Sequence, residues 1–213
     1  MPNQYRCDQN AELAKSINVD GTRNVTEAAN AANAQIILVS TTAVLAPEIY
    51  GLYGKTKLDA EEIVKSSSKG YLILRPGLII GQSPNVENDR FQNRLLNNIT
   101  KNAPAIYDNV EKYEVTWAGH VSEVIAQSIK KNINGQTIPI LAGEYKTRFE
   151  IARDILQNFG VGVTPKDERE STEGIYETTA KLQELGLKVY RYPEIVEKTT
   201  SEIKEYLKNS QQQ

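Results

Sequence analysis

The sequence predicts an α/β fold in which helices flank a parallel sheet. Two short β-branched runs, residues 35–40 (QIILVS) and 71–74 (YLIL), have the pattern of strands that are buried on both faces. Each run follows a segment with helical periodicity, so the order from residue 20 is helix, strand, helix, strand. This alternation is typical of a parallel sheet, because a crossover helix joins parallel neighbours.

The first helix is predicted over residues 20–34, with apolar residues at helical spacing on one face: Val25, Ala28, Ala29 and Ala32. The second is predicted over residues 53–67 and ends at the stretch SSSKG. Its apolar residues alternate with charged ones: Leu58, Ala60, Ile63 and Val64. We expect the strand at 71–74 to stop at Arg75, because Pro76 and Gly77 follow.

The second half of the chain begins with a long polar excursion over residues 81–109, with a helix near 91–98. Such excursions often line binding sites. Further strands are predicted at 114–117 and 137–141, with a helix between them. Thr147 and Glu150 have the spacing of a capping box and open a helix to Phe159. Two more helices are predicted, over 179–185 and 193–208.

Composition excludes several classes of function. The net charge of −2 gives no general basic field for nucleic acid or an anionic membrane, and no run approaches the ~20 apolar residues of a membrane span. One cysteine, Cys7, allows no internal disulfide and fits a reducing cytoplasmic setting. The single histidine, His120, has no ligand cluster around it in sequence, so we expect no metal site.

One group of polar residues predicts a catalytic site. Thr41 follows the strand 35–40, at the end where parallel sheets bind ligands. Tyr53 and Lys57 are four residues apart on the next helix, so their side chains share a side. A nearby ammonium lowers the pKa of a phenol, which can then exchange a proton with a substrate oxygen, but a hydride carrier is still required. Of 11 tyrosines only Tyr53 has lysine at the fourth following position; the alternative is a Tyr–Lys pair on a helix surface.

Short motifs occur along the chain at residues 18–24 (NVDGTRN), 39–44 (VSTTAV), 50–57 (YGLYGKTK), 74–77 (LRPG), 119–124 (GHVSEV), 147–150 (TRFE) and 181–186 (KLQELG). In kind and in order, these motifs resemble those of the extended short-chain dehydrogenases/reductases that act on sugar nucleotides. The C-terminal part is most similar to the dTDP-4-dehydrorhamnose reductase branch, although the usual S-T-D reads Ser40-Thr41-Thr42 here.

The resemblance implies a partial Rossmann-like sheet over residues 1–82, to which 113–142 partly return, and a small α/β substrate region at 83–112 and 143–213. It implies catalysis by Thr41, Tyr53 and Lys57, with NAD or NADP bound by Tyr53, Lys57, Gly77 and Leu78. It further implies a nucleotide-sugar substrate contacted by Thr41, Arg90, Phe91 and Arg94. A homodimer through the helices 20–34 and 53–67 is also implied.

The sequence departs from the family at its front. The family's glycine-rich turn, G-x-x-G-x-x-G, binds the cofactor pyrophosphate and has no counterpart here. We therefore expect the first four strands to be absent, through truncation or because a partner chain supplies them, and we expect weak NAD(P) binding by this chain alone. The strand 35–40 would then lie at a sheet edge. An alternative function is that of a non-catalytic subunit that acts through protein–protein contacts.

Overall fold

The computed structural model describes residues 4–83, 90–167 and 178–210. These residues form two compact units. The first contains residues 4–77, 123–140 and 178–187, and the second contains residues 78–83, 90–122, 141–167 and 188–210.

The helices are α1 (Gln4–Gln9), α2 (Ala11–Lys15), α3 (Gly21–Ala31), α4 (Gly51–Lys65), α5 (Phe91–Thr100), α6 (Ala118–Lys130), α7 (Arg148–Leu156), α8 (Ala180–Glu184) and α9 (Tyr192–Ser210). A π-helix, Ser16–Asp20, joins α2 to α3, and short 3₁₀ turns cover Thr42–Leu45 and Gln157–Phe159. The strands are β1 (Ile36–Val39), β2 (Tyr71–Pro76), β3 (Leu78–Ile80), β4 (Ile106–Asp108), β5 (Lys112–Trp117), β6 (Gln136–Ile140), β7 (Tyr145–Thr147) and β8 (Thr164–Lys166).

The first unit is built on a parallel sheet with the strand order β1-β2-β6. The central strand is the most buried, with Leu72, Ile73 and Leu74 fully inaccessible to solvent. This confirms the α/β class and the continuous apolar pattern of a strand covered on both faces. Among the described residues β1 pairs only with β2, so it lies at an edge as expected.

Two details of the first unit differ from the sequence prediction. Strand β2 continues through Pro76, which aligns with Ile140 of β6; a proline at the end of a strand costs little because few ladder bonds remain there. The predicted apolar face of α3 is mostly exposed: Val25 is 59% exposed and Ala29 packs partly against the core, whereas Thr26 is buried. Its outward-facing apolar residues are therefore available for contacts outside the unit.

The second unit combines a sheet of order β3-β5-β7 with the short parallel pair β4-β8. Strand β3 is parallel to β5, and β7 is antiparallel to it. The predicted capping box is confirmed: the Glu150 amide donates to the Thr147 hydroxyl at 3.1 Å, and the Thr147 amide donates to the Glu150 carboxylate at 2.8 Å. Helix α7 contributes Ile151, Ile155 and Leu156 to the core of this unit.

The division into two units assigns some segments differently from the predicted domains. Residues 78–82 and 113–122 belong to the second unit, because β3 pairs with β5 there. Residues 178–187 belong to the first unit, where the Lys131 ammonium donates to the carbonyls of Leu185 and Gly186. Within the described ranges, no helix has the length and apolar character needed to cross a bilayer.

Candidate functional site

Thr41 lies immediately beyond the carboxyl end of β1. The preceding residue extends the sheet by one hydrogen bond, because the Ser40 amide donates to the Leu74 carbonyl at 2.7 Å. Thr41 is extended and caps the 3₁₀ turn that follows, with its hydroxyl accepting from the Ala43 amide at 3.2 Å. The accepted bond leaves the hydroxyl hydrogen free to point to another acceptor.

The nearby phenol is Tyr53, and a hydrogen bond with the Thr41 side chain is one of the influences that lower the pKa of this phenol. Tyr53 lies in the first turn of α4, which begins at Gly51, a residue in the left-handed region with φ of 57°. Gly54 lets this turn approach the chain after β1 closely, since an added Cβ would lie 2.8 Å from the Ala43 carbonyl oxygen. The close approach brings the predicted phenol to the predicted hydroxyl.

Lys57 follows one helical turn after Tyr53 and points to the end of β1. Its ammonium donates to the Val39 carbonyl at 2.9 Å. Burial lowers the pKa of Lys57, and the negative charge of Glu61 partly opposes this effect. The structure thus brings Thr41, Tyr53 and Lys57 together at the carboxyl end of one parallel strand.

The direction of the Tyr53 pKa shift is opposite to the one that we expected from Lys57. Burial raises the pKa of Tyr53 more than the hydrogen bond from Thr41 lowers it, and the nearby Cys7 thiol raises it further. A lowered pKa would require the ammonium to stabilise the phenolate, and Lys57 is instead directed to a backbone carbonyl. The phenol therefore keeps its proton at neutral pH.

A buried ionic network supports this site, and we did not predict it from the sequence. Glu61 is fully buried on α4 and accepts from the Ser40 hydroxyl at 2.6 Å. The same carboxylate forms a bidentate ion pair with Arg75 of β2, with distances of 3.0 and 2.7 Å. The sequence does not distinguish Glu61 from its neighbour Glu62, which is exposed and pairs with Lys65 at 2.6 Å.

The remaining predicted site residues are divided between the units. Gly77 directly follows β2 in the first unit, and Leu78 begins β3 in the second. Phe91 is 9% exposed and packs edge-on against Tyr107 in the core of the second unit, so little of its ring is accessible to a substrate. Arg94 lies over the same tyrosine ring and donates to the Ile106 carbonyl at 3.2 Å. Arg90 is exposed at the start of α5.

The second unit has a small hollow of about 10 Å³ beside α5. Its polar lining includes Gln92 and Asn93, which are both buried, and the Gln92 side-chain oxygen accepts from the Gly81 amide at 3.2 Å. We did not predict these buried amides, because the sequence of a polar helix does not show which of its amide side chains face inward. No group of three or more His, Cys, Asp or Glu side chains suited to a metal occurs in the part of the chain that the structure describes.

Comparison with solved structures reveals the same fold in sugar-nucleotide enzymes. The dTDP-4-dehydrorhamnose reductase from Yersinia enterocolitica superimposes with a TM-score of 0.77 at 21% identity, covering 92% of this chain and 76% of that one. The reductase from Bacillus anthracis str. Ames, crystallised with NADP, gives a TM-score of 0.78 at 20% identity over 96% of this chain and 76% of its own. For UDP-N-acetylglucosamine 4-epimerase from Methanobrevibacter ruminantium M1 the TM-score is 0.80 at 14% identity, over 98% and 74% of the two chains.

Sequence comparison gives the family. No curated protein sequence matches the chain significantly. The family model described as the RmlD substrate binding domain matches residues 3–181, which is most of the chain. This match confirms the resemblance drawn from the motifs around Tyr53 and Lys57. The chain belongs to the RmlD substrate binding domain family.

Proposed function

We propose that this chain carries the proton-transfer site of an NAD(P)-dependent reductase or epimerase that acts on a nucleotide sugar. The single observation that carries the proposal is that Tyr53 and Lys57, one turn apart on α4, lie beside Thr41 and the Val39 carbonyl at the carboxyl end of a parallel strand. Membership of the family and the likeness to reductases and epimerases support the same class of reaction.

The charge state of Tyr53 suits a general acid. A phenol whose pKa is raised by burial stays protonated at neutral pH, so it can give a proton to a substrate carbonyl oxygen. Thr41 would hold the same oxygen through its hydroxyl, whose one hydrogen would turn from Tyr53 to the substrate. The Lys57 ammonium, which donates to the Val39 carbonyl, would act on the phenolate left after proton transfer through its charge and not through a direct hydrogen bond.

NAD(P) would supply the hydride that the carbonyl carbon accepts. The residues here fit one end of such a cofactor: an ammonium has three hydrogens, of which the Val39 carbonyl takes one, and the others suit ribose hydroxyls. Gly77, after the neighbouring strand, offers a close backbone approach on the same sheet edge. The sequence contains no G-x-x-G-x-x-G turn for the pyrophosphate, so we expect the cofactor to bind weakly to this chain.

The proposal is tested with Tyr53→Phe. The chain is incubated with dTDP-4-dehydrorhamnose, the substrate in the names of the similar reductases, and with NADPH in large excess to offset weak binding. We expect slow NADPH oxidation that falls about 10²–10⁴-fold in Tyr53→Phe, because the proton donor is lost. Tyr50→Phe is the matched control, since it removes a phenol hydroxyl just before α4 and should leave the rate nearly unchanged.

Equal rates for wild type and Tyr53→Phe would contradict the catalytic role of Tyr53. If the wild-type chain neither turns over NADPH nor binds the nucleotide sugar by NMR, the proposal fails and the non-catalytic subunit becomes the better explanation. Binding of the nucleotide sugar without NADPH oxidation would mean that this chain binds the substrate but does not catalyse the reaction on its own.

We also propose that the chain forms a homodimer through the helices predicted at 20–34 and 53–67. The support is the outward-facing apolar surface before and along α3, where Leu13 is 49%, Ile17 48% and Val25 59% exposed. Apolar side chains on one helical face are usually covered by another surface. A second copy would present the same face, as a two-fold interface requires.

A further inference from the structure

Glu61 is a buried charged residue that the proposed reaction does not use. Its side chain has no solvent exposure, and its two oxygens accept hydrogen bonds from Ser40 and Arg75. A buried ion pair adds little stability compared with apolar residues of the same volume, because both charges lose their hydration. The pair in this chain therefore calls for an explanation other than stability.

The partners of Glu61 are neighbours of the predicted site residues. Ser40 directly precedes Thr41, so the 2.6 Å bond to the Ser40 hydroxyl fixes the chain where the Thr41 hydroxyl leaves β1. Arg75 lies two residues before Gly77, and the bidentate ion pair fixes the end of β2. Glu61 itself lies one turn beyond Lys57 on α4. One carboxylate thus joins the three segments that carry the site.

We propose that Glu61 is a positioning residue of the Thr41–Tyr53–Lys57 site, an inference that rests on the proposed function. It holds the carboxyl ends of β1 and β2 against α4, and it keeps a negative charge beside the Lys57 ammonium. The bidentate geometry suits this role, because two parallel hydrogen bonds fix the orientation of both planar groups.

The electrostatics around Lys57 agree with the geometry. Burial lowers the pKa of Lys57, and the charge of Glu61 acts in the opposite direction, which helps the ammonium to stay protonated. The other ionisable groups in these contacts are Arg75, which is paired with Glu61, and Tyr53 with Cys7 beside it. Strand β1 contributes the Val39 carbonyl.

The test is a titration of Lys57 by NMR in the full chain labelled with ¹³C at the lysine ε-carbons, with the signal assigned through Lys57→Arg. We expect the titration midpoint of Lys57 to be lower in Glu61→Gln than in wild type, because the neighbouring negative charge is gone. Glu62→Gln is the matched control. It removes the same charge from the next residue, which is exposed, and it should leave the titration midpoint of Lys57 unchanged. Equal midpoints in the two variants would overturn the proposal.

A second variant is needed because Glu61→Gln leaves Arg75 with a buried, unbalanced charge, which can prevent the variant from folding. The double variant Glu61→Gln/Arg75→Gln removes both charges; because the loss of the Arg75 cation opposes the loss of the Glu61 anion, the Lys57 midpoint should fall less than in Glu61→Gln. An unchanged midpoint in this folded double variant would equally overturn the role of Glu61.

The titration requires neither cofactor nor sugar, so its result stands apart from the test of Tyr53. Where turnover is measurable, we expect the double variant to lower kcat at least tenfold with little change in KM, since the reacting groups are misplaced while the substrate contacts remain. A normal kcat in the double variant would contradict positioning by Glu61 even if Tyr53 proves essential.

Discussion

The buried carboxyl of Glu114 should make the stability of the second unit depend on pH. Glu114 lies on β5, is 5% exposed, and accepts hydrogen bonds from the amides of Ala142 and Gly143 at 3.2 and 3.1 Å. Burial raises the pKa of Glu114 from 4.5 to about 7, against the opposing effect of these amides and of the Tyr145 side chain. The folded unit thus binds a proton at a pH where the unfolded chain has released it.

The sign of the effect follows from this difference in proton binding. Between pH 4.5 and about 7 the native state holds more protons than the unfolded state, so the free energy of unfolding falls as the pH rises. The full difference in pKa corresponds to at most about 3 kcal/mol. The contribution is complete below the unfolded-state pKa and is lost as the pH passes the folded-state pKa.

Glu114→Gln tests this directly, because glutamine cannot ionise and its side-chain oxygen can still accept from Ala142 and Gly143. We expect the variant to exceed wild type by up to about 3 kcal/mol at a pH near 8 and to match it near pH 4. Urea unfolding is followed through Trp117, the single tryptophan. This residue lies in the same unit, and its indole N–H donates to Glu202 at 2.8 Å.

The matched control is Glu197→Gln, which removes an exposed carboxylate from α9 of the same unit. This variant should keep the pH dependence of wild type. If Glu114→Gln retains that dependence, or is the less stable protein near pH 8, the reasoning about burial of Glu114 is refuted.

Two further predictions concern α4 and α3. Gly54→Ala should destabilise the chain by a net ~1–2 kcal/mol in urea unfolding followed by circular dichroism, because the added Cβ would lie 2.8 Å from the Ala43 carbonyl oxygen. Gly162→Ala, where nothing lies within 4 Å, should change stability by less than about 0.5 kcal/mol, and equal losses would contradict the close approach. Val25→Glu should weaken self-association measured by sedimentation velocity, whereas Ile129→Glu, at another exposed apolar site, should not. A monomeric wild type would dismiss the proposed homodimer.

The sheet of the first unit was predictable because its strands carry a strong local signal. The runs 36–39 and 71–74 are apolar without interruption, and such a pattern is typical of a strand with both faces covered. Helix α4 and the capping box at Thr147 were also found, since periodicity and capping depend on neighbours in sequence. The placement of Tyr53 near Thr41 followed from parallel topology, which brings strand ends and helix starts to one edge.

Other features depend on contacts that are distant in sequence, and local patterns do not contain them. Glu61 and Glu62 are adjacent and chemically identical, yet one is buried against Arg75 and the other is solvated. The carboxylate that Arg75 pairs with is 14 residues away, so a helical pattern cannot tell which glutamate faces inward. The direction of the Tyr53 pKa shift was missed for the same reason. The i, i+4 spacing predicted that the Lys57 ammonium would lie beside the Tyr53 phenol, but the ammonium donates to the Val39 carbonyl instead.

The position of β1 at the edge of its sheet has a consequence for handling the molecule. On one side its four residues have β2 as a partner, and the described chain leaves their other side without a ladder. Val39, which is 39% exposed, is the last residue of β1, and its carbonyl accepts from the Lys57 ammonium. Backbone amide and carbonyl groups along an open strand edge can pair with strands of neighbouring molecules, so aggregation in concentrated solution would begin at β1. Pairing of this kind would also cover the end of β1 that binds the Lys57 ammonium. Aggregation and loss of ligand access would therefore both arise at the four residues of β1.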